Sequence, residues 1–264
     1  MKIIDVHTHI YPDRIAQKAS EAIGEFYDRH MYADGRAETL LRINEEYGIG
    51  ISVVHSVATT PQQVESINSF IADTVRSNPG RLAGFATMHP DFDRVEEEVE
   101  RIRALGLTGI KIHPDFQKFD VDGKKAFRIY EVIESRLPML IHTGDRRYAY
   151  SKPRRILNIR NSFPGLTMIC AHFGGYSEWE EASRMLAGRE IMVDTSSSLS
   201  FITKEQARRY IDSYGVDNVL FGSDYPMWNP GDELGAVKGL GLTAGDLDKV
   251  LHKNAERVLG FQVS

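Results

Sequence analysis

Two histidines one residue apart stand near the start of the chain, in Asp5-Val6-His7-Thr8-His9. The apolar run before them, Ile3-Ile4-Asp5-Val6, reads as a strand. Side chains alternate faces along a strand, so His7 and His9 project together from one strand end. Two neighbouring imidazoles suit a metal ion. The plainer reading is two polar residues where a strand meets its loop. What decides between them is whether further ligands arrive at the ends of later strands.

Those strands are legible as short Val/Ile/Leu-rich runs at 51–57, 81–87, 108–114, 138–143, 166–172, 191–195 and 219–224. Helical spacing fills the intervals at 13–29, 39–47, 61–77, 93–105, 124–136, 153–163, 178–186 and 203–214, with two more helices from Asp232 and Thr243. Gly48 is placed to cap the second helix, and Asn78-Pro79-Gly80 and Pro164-Gly165 stop others. Eight strands alternating with helices predict an α/β fold, a single (β/α)8 TIM barrel over residues 1–264. The continuous apolar strands agree with a parallel sheet buried on both faces. An open doubly wound sheet allows the same alternation, but no Gly-x-Gly-x-x-Gly follows the first strand.

Composition narrows the partners. The chain has 264 residues, 42% hydrophobic and 26% charged, as an ordinary globular domain does. A net charge of −5 argues against a nucleic-acid backbone. The single cysteine, Cys170, excludes an internal disulfide and a Cys-rich zinc module and fits a reducing cytosol. No apolar run reaches the ~20 residues of a membrane span, and no apolar leader precedes the first strand. A cytoplasmic protein with a small-molecule substrate, and neither a nucleic-acid nor a membrane partner, is expected.

The polar residues fall where barrel enzymes keep their chemistry, at the C-terminal ends of strands. His7, His9, His89, His113, His142 and His172, six of the nine histidines, lie at or just past such ends, as do Asp194 and Asp224. Lys111 shares a strand face with His113. His55 is mid-strand and suits a structural role as well as a functional one. His30 and His252 are expected at the surface.

Four motifs carry a resemblance: Asp5-Val6-His7-Thr8-His9, Ile141-His142-Thr143-Gly144, Ala171-His172-Phe173-Gly174-Gly175 and Leu220-Phe221-Gly222-Ser223-Asp224-Tyr225-Pro226. In this order and spacing the chain resembles the amidohydrolase superfamily, specifically the amidohydrolase-2 branch with the aminocarboxymuconate semialdehyde decarboxylase-like proteins. The resemblance implies one divalent metal held by His7, His9, His142 and Asp224. Three imidazoles and a carboxylate suit Zn²⁺ first, with Mn²⁺, Fe²⁺ or Co²⁺ as alternatives. It implies Asp224 and His172 as the catalytic pair, Asp224 taking a proton from an activated water and His172 polarising substrate or moving a proton. In other branches a strand-4 lysine is carbamylated and bridges two metals. Lys111 offers such a lysine, or a charged anchor for an acidic group. One metal is favoured here, with Lys111 or His113 lining the pocket.

Arg146, Arg147 and Tyr148, after the fifth strand, suit a carboxylate or other anion, and a solvated charged loop equally. Phe116, Tyr225 and Trp228 form an aromatic wall or simply pack the barrel mouth. The function expected first is metal-dependent hydrolysis of a small, anionic amide, ester or lactone. The chain has no long insertion to build a deep lid, which places a nonoxidative carboxy-lyase second. A metal-dependent deoxyribonuclease ranks below both, since Gly109-Ile110-Lys111-Ile112 lacks that group's metal-bridging glutamate. A non-catalytic metal-binding protein ranks last. Family analogy suggests a homodimer.

Overall fold

A computed structural model describes residues 2–260. Eight parallel strands run in chain order: β1 (Ile4–His9), β2 (Ile51–His55), β3 (Leu82–Thr87), β4 (Gly109–Ile112), β5 (Met139–Ile141), β6 (Met168–Cys170), β7 (Met192–Asp194) and β8 (Val219–Leu220). The ring closes between its ends. Val6 N donates to Phe221 O at 2.9 Å, Asp224 N to His7 O at 2.8 Å and His9 N to Tyr225 O at 2.6 Å. The architecture is the (β/α)8 barrel that the alternation predicts.

Helices α1 (Asp13–Tyr27) and α2 (Ala37–Tyr47) follow β1, and α3 (Val64–Ser77) follows β2. Then come α4 (Val95–Ala104), α5 (Pro114–Gln117), α6 (Lys124–Ile133), α7 (Pro153–Ser162), α8 (Trp179–Leu186) and α9 (Lys204–Tyr214). The last described helices are α10 (Pro230–Lys238), α11 (Ala244–Asp248) and α12 (Asn254–Leu259). Capping follows local chemistry. Gly48 ends α2 with φ 70°, and Thr203 and Gln206 form a capping box on α9. The last strands are shorter than expected because the residues that follow leave the ladder in left-handed turns. His172 has φ 61°, Phe173 49° and Asp224 62°.

Apolar side chains form two clusters. Ile4, Val6, Ile51, Val53, Leu140 and Ile169 pack together with Ala255 of α12. A larger cluster joins the opposite strand faces to the surrounding helices. Between Asp5 and Thr8 the β1–β2 register shifts by one residue. Before the shift Ile4 and Val6 lie with Ile51 and Val53. After it the rings of His7 and His9 meet His55, on the same side of β2 as Val53. The bulge thus turns the two histidines inward, as bulges beside active sites do.

Helix α2 takes the barrel-helix position, burying Leu40, Ile43 and Asn44. Helix α1 lies over the mouth, where Ile23 and Tyr27 help line the cavity above the histidines. The cover unforeseen in the sequence is this helix. No helix among the described residues is long and apolar enough to cross a membrane.

Candidate metal centre

His7 Nε2, His9 Nε2 and Asp224 Oδ1 form a triangle at the β1–β8 seam. Its edges are 3.3 Å between the two imidazoles and 3.4 Å from each to the carboxylate. A tetrahedral ion with ligands at ~2.0–2.1 Å has ligand–ligand edges of ~3.3–3.4 Å. The donors are therefore spaced as one face of such a polyhedron.

Each corner is fixed from behind. His7 Nδ1 lies 2.8 Å from Asp194 Oδ2, so its proton points to that carboxylate and Nε2 offers a lone pair. Asp194 Oδ1 accepts the His172 and Ser196 backbone N–H groups and the Ser196 hydroxyl. Asp224 Oδ2 accepts from Ser197 Oγ at 2.5 Å, and Ser197 accepts from Trp228 Nε1 at 2.8 Å. Gly222 allows the packing, since a Cβ there would meet His7 Cβ at 2.9 Å and Asp194 Cβ at 3.3 Å. Ser197 (φ 45°), Asp224 and His172 all hold left-handed backbones, strain that clusters at functional sites.

Charge follows from these neighbours. Burial pushes both carboxylates up, but the surrounding imidazoles and hydrogen bonds outweigh it, holding Asp194 and Asp224 ionised, below the usual carboxylate range. Burial, then Lys111, lowers His7 to about 4, and burial lowers His9 as well, leaving both rings neutral. Lys111 is fully buried, its Nζ 2.8 Å from His7 Nε2, and burial brings it down to about 8. It competes with an ion for the same lone pair. His55 is buried with neither ring nitrogen hydrogen-bonded, and its ring lies 4.4 Å from that of His9.

His142 faces the same cavity in a second cluster. Its ring stacks on His113 at 3.8 Å, and its Nε2 is 3.5 Å from Asp115 Oδ2. The Ser196 carbonyl can only accept, so His172 Nδ1, 3.1 Å away, carries a proton. His172 Nε2 then accepts from His142 Nδ1 at 3.0 Å, which leaves the buried His142 Nε2 with a bare lone pair and no hydrogen-bond partner. Similarly, the Phe116 N–H points at His113 Nδ1, so His113 Nε2 donates to the Tyr27 hydroxyl at 3.0 Å. The Tyr27 proton is free for a further acceptor. The donor set fits a divalent metal: a ready triangle of two imidazoles and an ionised carboxylate, with the unpartnered His142 Nε2 beside Asp115 in the neighbouring cluster.

The loop weighed as an anion site or a solvated loop packs against α1. Arg147 pairs with Asp145, with Nη2 2.7 Å from Oδ2, donates from Nη1 to Phe26 O at 2.6 Å, and lies over the Phe26, Tyr27 and Tyr148 rings. Tyr148 stacks on Phe26. Arg146 is exposed and reaches Ser177 O. The loop clamps α1, and the Arg147 charge is already neutralised. Of the expected aromatic wall, Phe116 lines the cavity, Trp228 supports Ser197, and Tyr225 is buried with its hydroxyl on Arg36 O. His89 accepts from Asp91 N in a turn. His30 is exposed, but His252 is buried beside Glu256, contrary to its expected surface position.

Asp194 was visible in the sequence as a strand-end acid without a role. Ser196, Ser197 and Asp115 could be found only by knowing which loops converge. Tyr27 had no signal, being one aromatic in a helix far from any strand end.

The chain is similar in fold to 5-carboxyvanillate decarboxylase from Sphingomonas paucimobilis, with a TM-score of 0.77 and 16% identity over 99% of both chains. It is similar to a dihydroxybenzoic acid decarboxylase from Polaromonas sp. JS666 with bound manganese and 2-nitroresorcinol, with a TM-score of 0.74 and 16% identity over 98% of this chain and 97% of that one. A third similar structure is a probable 2-pyrone-4,6-dicarboxylic acid hydrolase from Acinetobacter baumannii with citric acid bound, with a TM-score of 0.71 and 15% identity over 99% of this chain and 100% of that one. The amidohydrolase family model matches residues 4–261, nearly the whole sequence. With the strand-end histidines and Asp224 gathered at the barrel mouth, that match makes the chain a member of the amidohydrolase family.

Proposed function

We propose that the protein is a metal-dependent hydrolase acting on a carbonyl centre of a small molecule, an amide, ester or lactone. The observation that carries this reading is the triangle of His7, His9 and ionised Asp224. We assign these three residues and His142 as the residues that would hold a divalent metal, Zn²⁺ foremost. Such a metal, when bound, supplies Lewis-acid activation of water and of a carbonyl oxygen.

The chain's own groups then divide the work. Asp224 keeps its charge at neutral pH and is placed to accept a proton at Oδ1, while Ser197 holds Oδ2. Asp194 fixes the His7 tautomer. With Nδ1 donating to Ser196 O and Nε2 accepting from His142 Nδ1, His172 has no proton to offer an oxyanion and suits proton relay with His142 better. The Tyr27 hydroxyl, with its proton uncommitted, is the donor suited to a developing oxyanion. Ring walls and α1 keep bulk water from the cavity.

A second reading, decarboxylation of an aromatic acid, draws on the fold likeness to the two decarboxylases and on the Tyr27, Phe116 and Tyr176 rings beside the histidines. One experiment separates the two. Metal-loaded protein is incubated with a panel of esters, lactones, amides and aromatic acids in water labelled with heavy oxygen. Hydrolysis places the label in the acid product and releases no carbon dioxide. Carbon dioxide release with no label in the product favours the lyase. Protein that takes up no divalent metal, with activity unchanged in His7→Ala, ends both readings.

A further inference from the structure

The cavity directly at the triangle has a volume of about 20 Å³, room for an ion or one small polar group but not for a whole organic substrate. Beside it, between α1 and α3, lies a groove of about 710 Å³, within the range of small-molecule sites. His9, Tyr11, Ile23 and Phe116 line both spaces, so the groove and the metal centre lie on two sides of these four side chains.

The groove walls are mostly apolar. Ile15, Ala19, Ala22 and Phe26 line one side, at helical intervals of four, three and four residues along one face of α1. Ile67 and Phe70 of α3, half-buried, line the other. Helix α1 is built against the usual order. It buries small residues, Ala16, Ser20 and Gly24, and leaves Ile15 44% exposed. A surface helix ordinarily turns its large apolar residues to the core. The inverted arrangement suits a helix that stands off from the barrel and offers its apolar face to something in the groove. From Ile15 to Phe26 that face runs ~16 Å at ~1.5 Å per residue, longer than a single aromatic ring.

We propose that the α1–α3 groove binds an extended aliphatic portion of the substrate, whose polar reacting head enters past His9 to the metal centre. The inference rests on the metal-site reading and adds the substrate's class: an amphipathic acyl or alkyl compound. The groove walls set the substrate's length preference, and the triangle sets the chemistry at its head.

Straight-chain monocarboxylates from acetate to octanoate, titrated calorimetrically into zinc-loaded protein, test this. Burial of each methylene tightens binding by about fourfold, so Kd falls steadily as the chain lengthens. Ala19→Trp fills the groove and removes that gain. Ala22→Trp, at an exposed position that tolerates the bulk, does the same in a protein with wild-type metal content and circular dichroism. A Kd independent of chain length in wild-type protein that carries its metal overturns the groove assignment and leaves the metal centre standing. A gain that survives both tryptophans overturns it too. A flat series accompanied by a changed oligomeric state in the variants makes the groove a contact between copies of the chain. Failure to take up zinc overturns this inference together with the reading beneath it.

Discussion

Two groups of histidines share one cavity and differ in the carboxylates beside them. At the β1–β8 seam, His7 and His9 face Asp224, with Asp194 behind His7. Both acids are ionised, because several imidazoles and hydroxyls oppose the cost of burial. At the β4–β5 side, His113 and His142 stack beside Asp115. Burial pushes Asp115 up to about 7, Asp145 adds to the rise, and Ser151 Oγ is its hydrogen-bond partner at 2.7 Å. The first group is a preformed seat for a cation. The second is a chain of neutral donors and acceptors running from Tyr27 through His113, and from His142 to His172. The same residue type sits beside ionised carboxylates in one place and in a neutral hydrogen-bonded chain in the other, and the local carboxylate makes the difference.

The contrast is broken most severely at the triangle. His7→Ala or Asp224→Ala should leave metal content below a tenth of wild type by elemental analysis and lower turnover by about 10³-fold, the scale of losing the site's main charge stabilisation. Asp194→Asn keeps the triangle but releases the His7 tautomer, and metal affinity measured by chelator competition should fall ~10–100-fold. Asp115→Asn in the same assay should change affinity less than about threefold. Equal losses in the two variants would erase the distinction between the clusters.

Tyr27→Phe probes the neutral side. One hydrogen bond to substrate is lost, so kcat/KM should fall about tenfold, on the order of 1.4 kcal/mol, with metal content unchanged. A fall in metal content instead would place Tyr27 among the structural supports of the seat.

The last test concerns Glu233, outside both clusters, a buried acid with Oε2 unpartnered and without the imidazoles that hold Asp194 down. Burial, then Asp224 and Asp5, raises it from 4.5 to about 8. The folded state binds this proton more tightly than the unfolded state does. Its contribution is therefore complete below about pH 4.5 and lost as pH rises to about 8, by at most ~1.4 kcal/mol per pH unit. Thermal unfolding of Glu233→Gln across that window should show a shallower decline than wild type. Parallel curves would mean that Glu233 is already ionised in the fold.

Much of the barrel could be read from periodicity. Each expected strand and helix is present, because β-branched runs, Pro and Gly stops, and cap residues act locally. His7, His9, His142, His172 and Asp224 stood out for the same reason: polar groups at strand ends are conspicuous in a parallel sheet. The role of the loop at 146–148 stays open in the sequence between an anion site and a solvated loop, because the partner that Arg147 takes, the Phe26 carbonyl and ring, lies 121 residues away in the chain.

Local sequence thus determined the strand order, the inventory of candidate ligands and their placement at one end of the barrel. Only the tertiary structure decided which of them meet. The β1 register shift turns His7 and His9 inward, left-handed turns re-aim His172 and Asp224, and Gly222 admits the approach of His7 to Asp194. It also decided that α1 covers the site with its large apolar face turned to a groove. Convergence of this kind rests on ring closure and on contacts between residues far apart in the chain, whereas strand and helix signals depend on neighbours a few residues away.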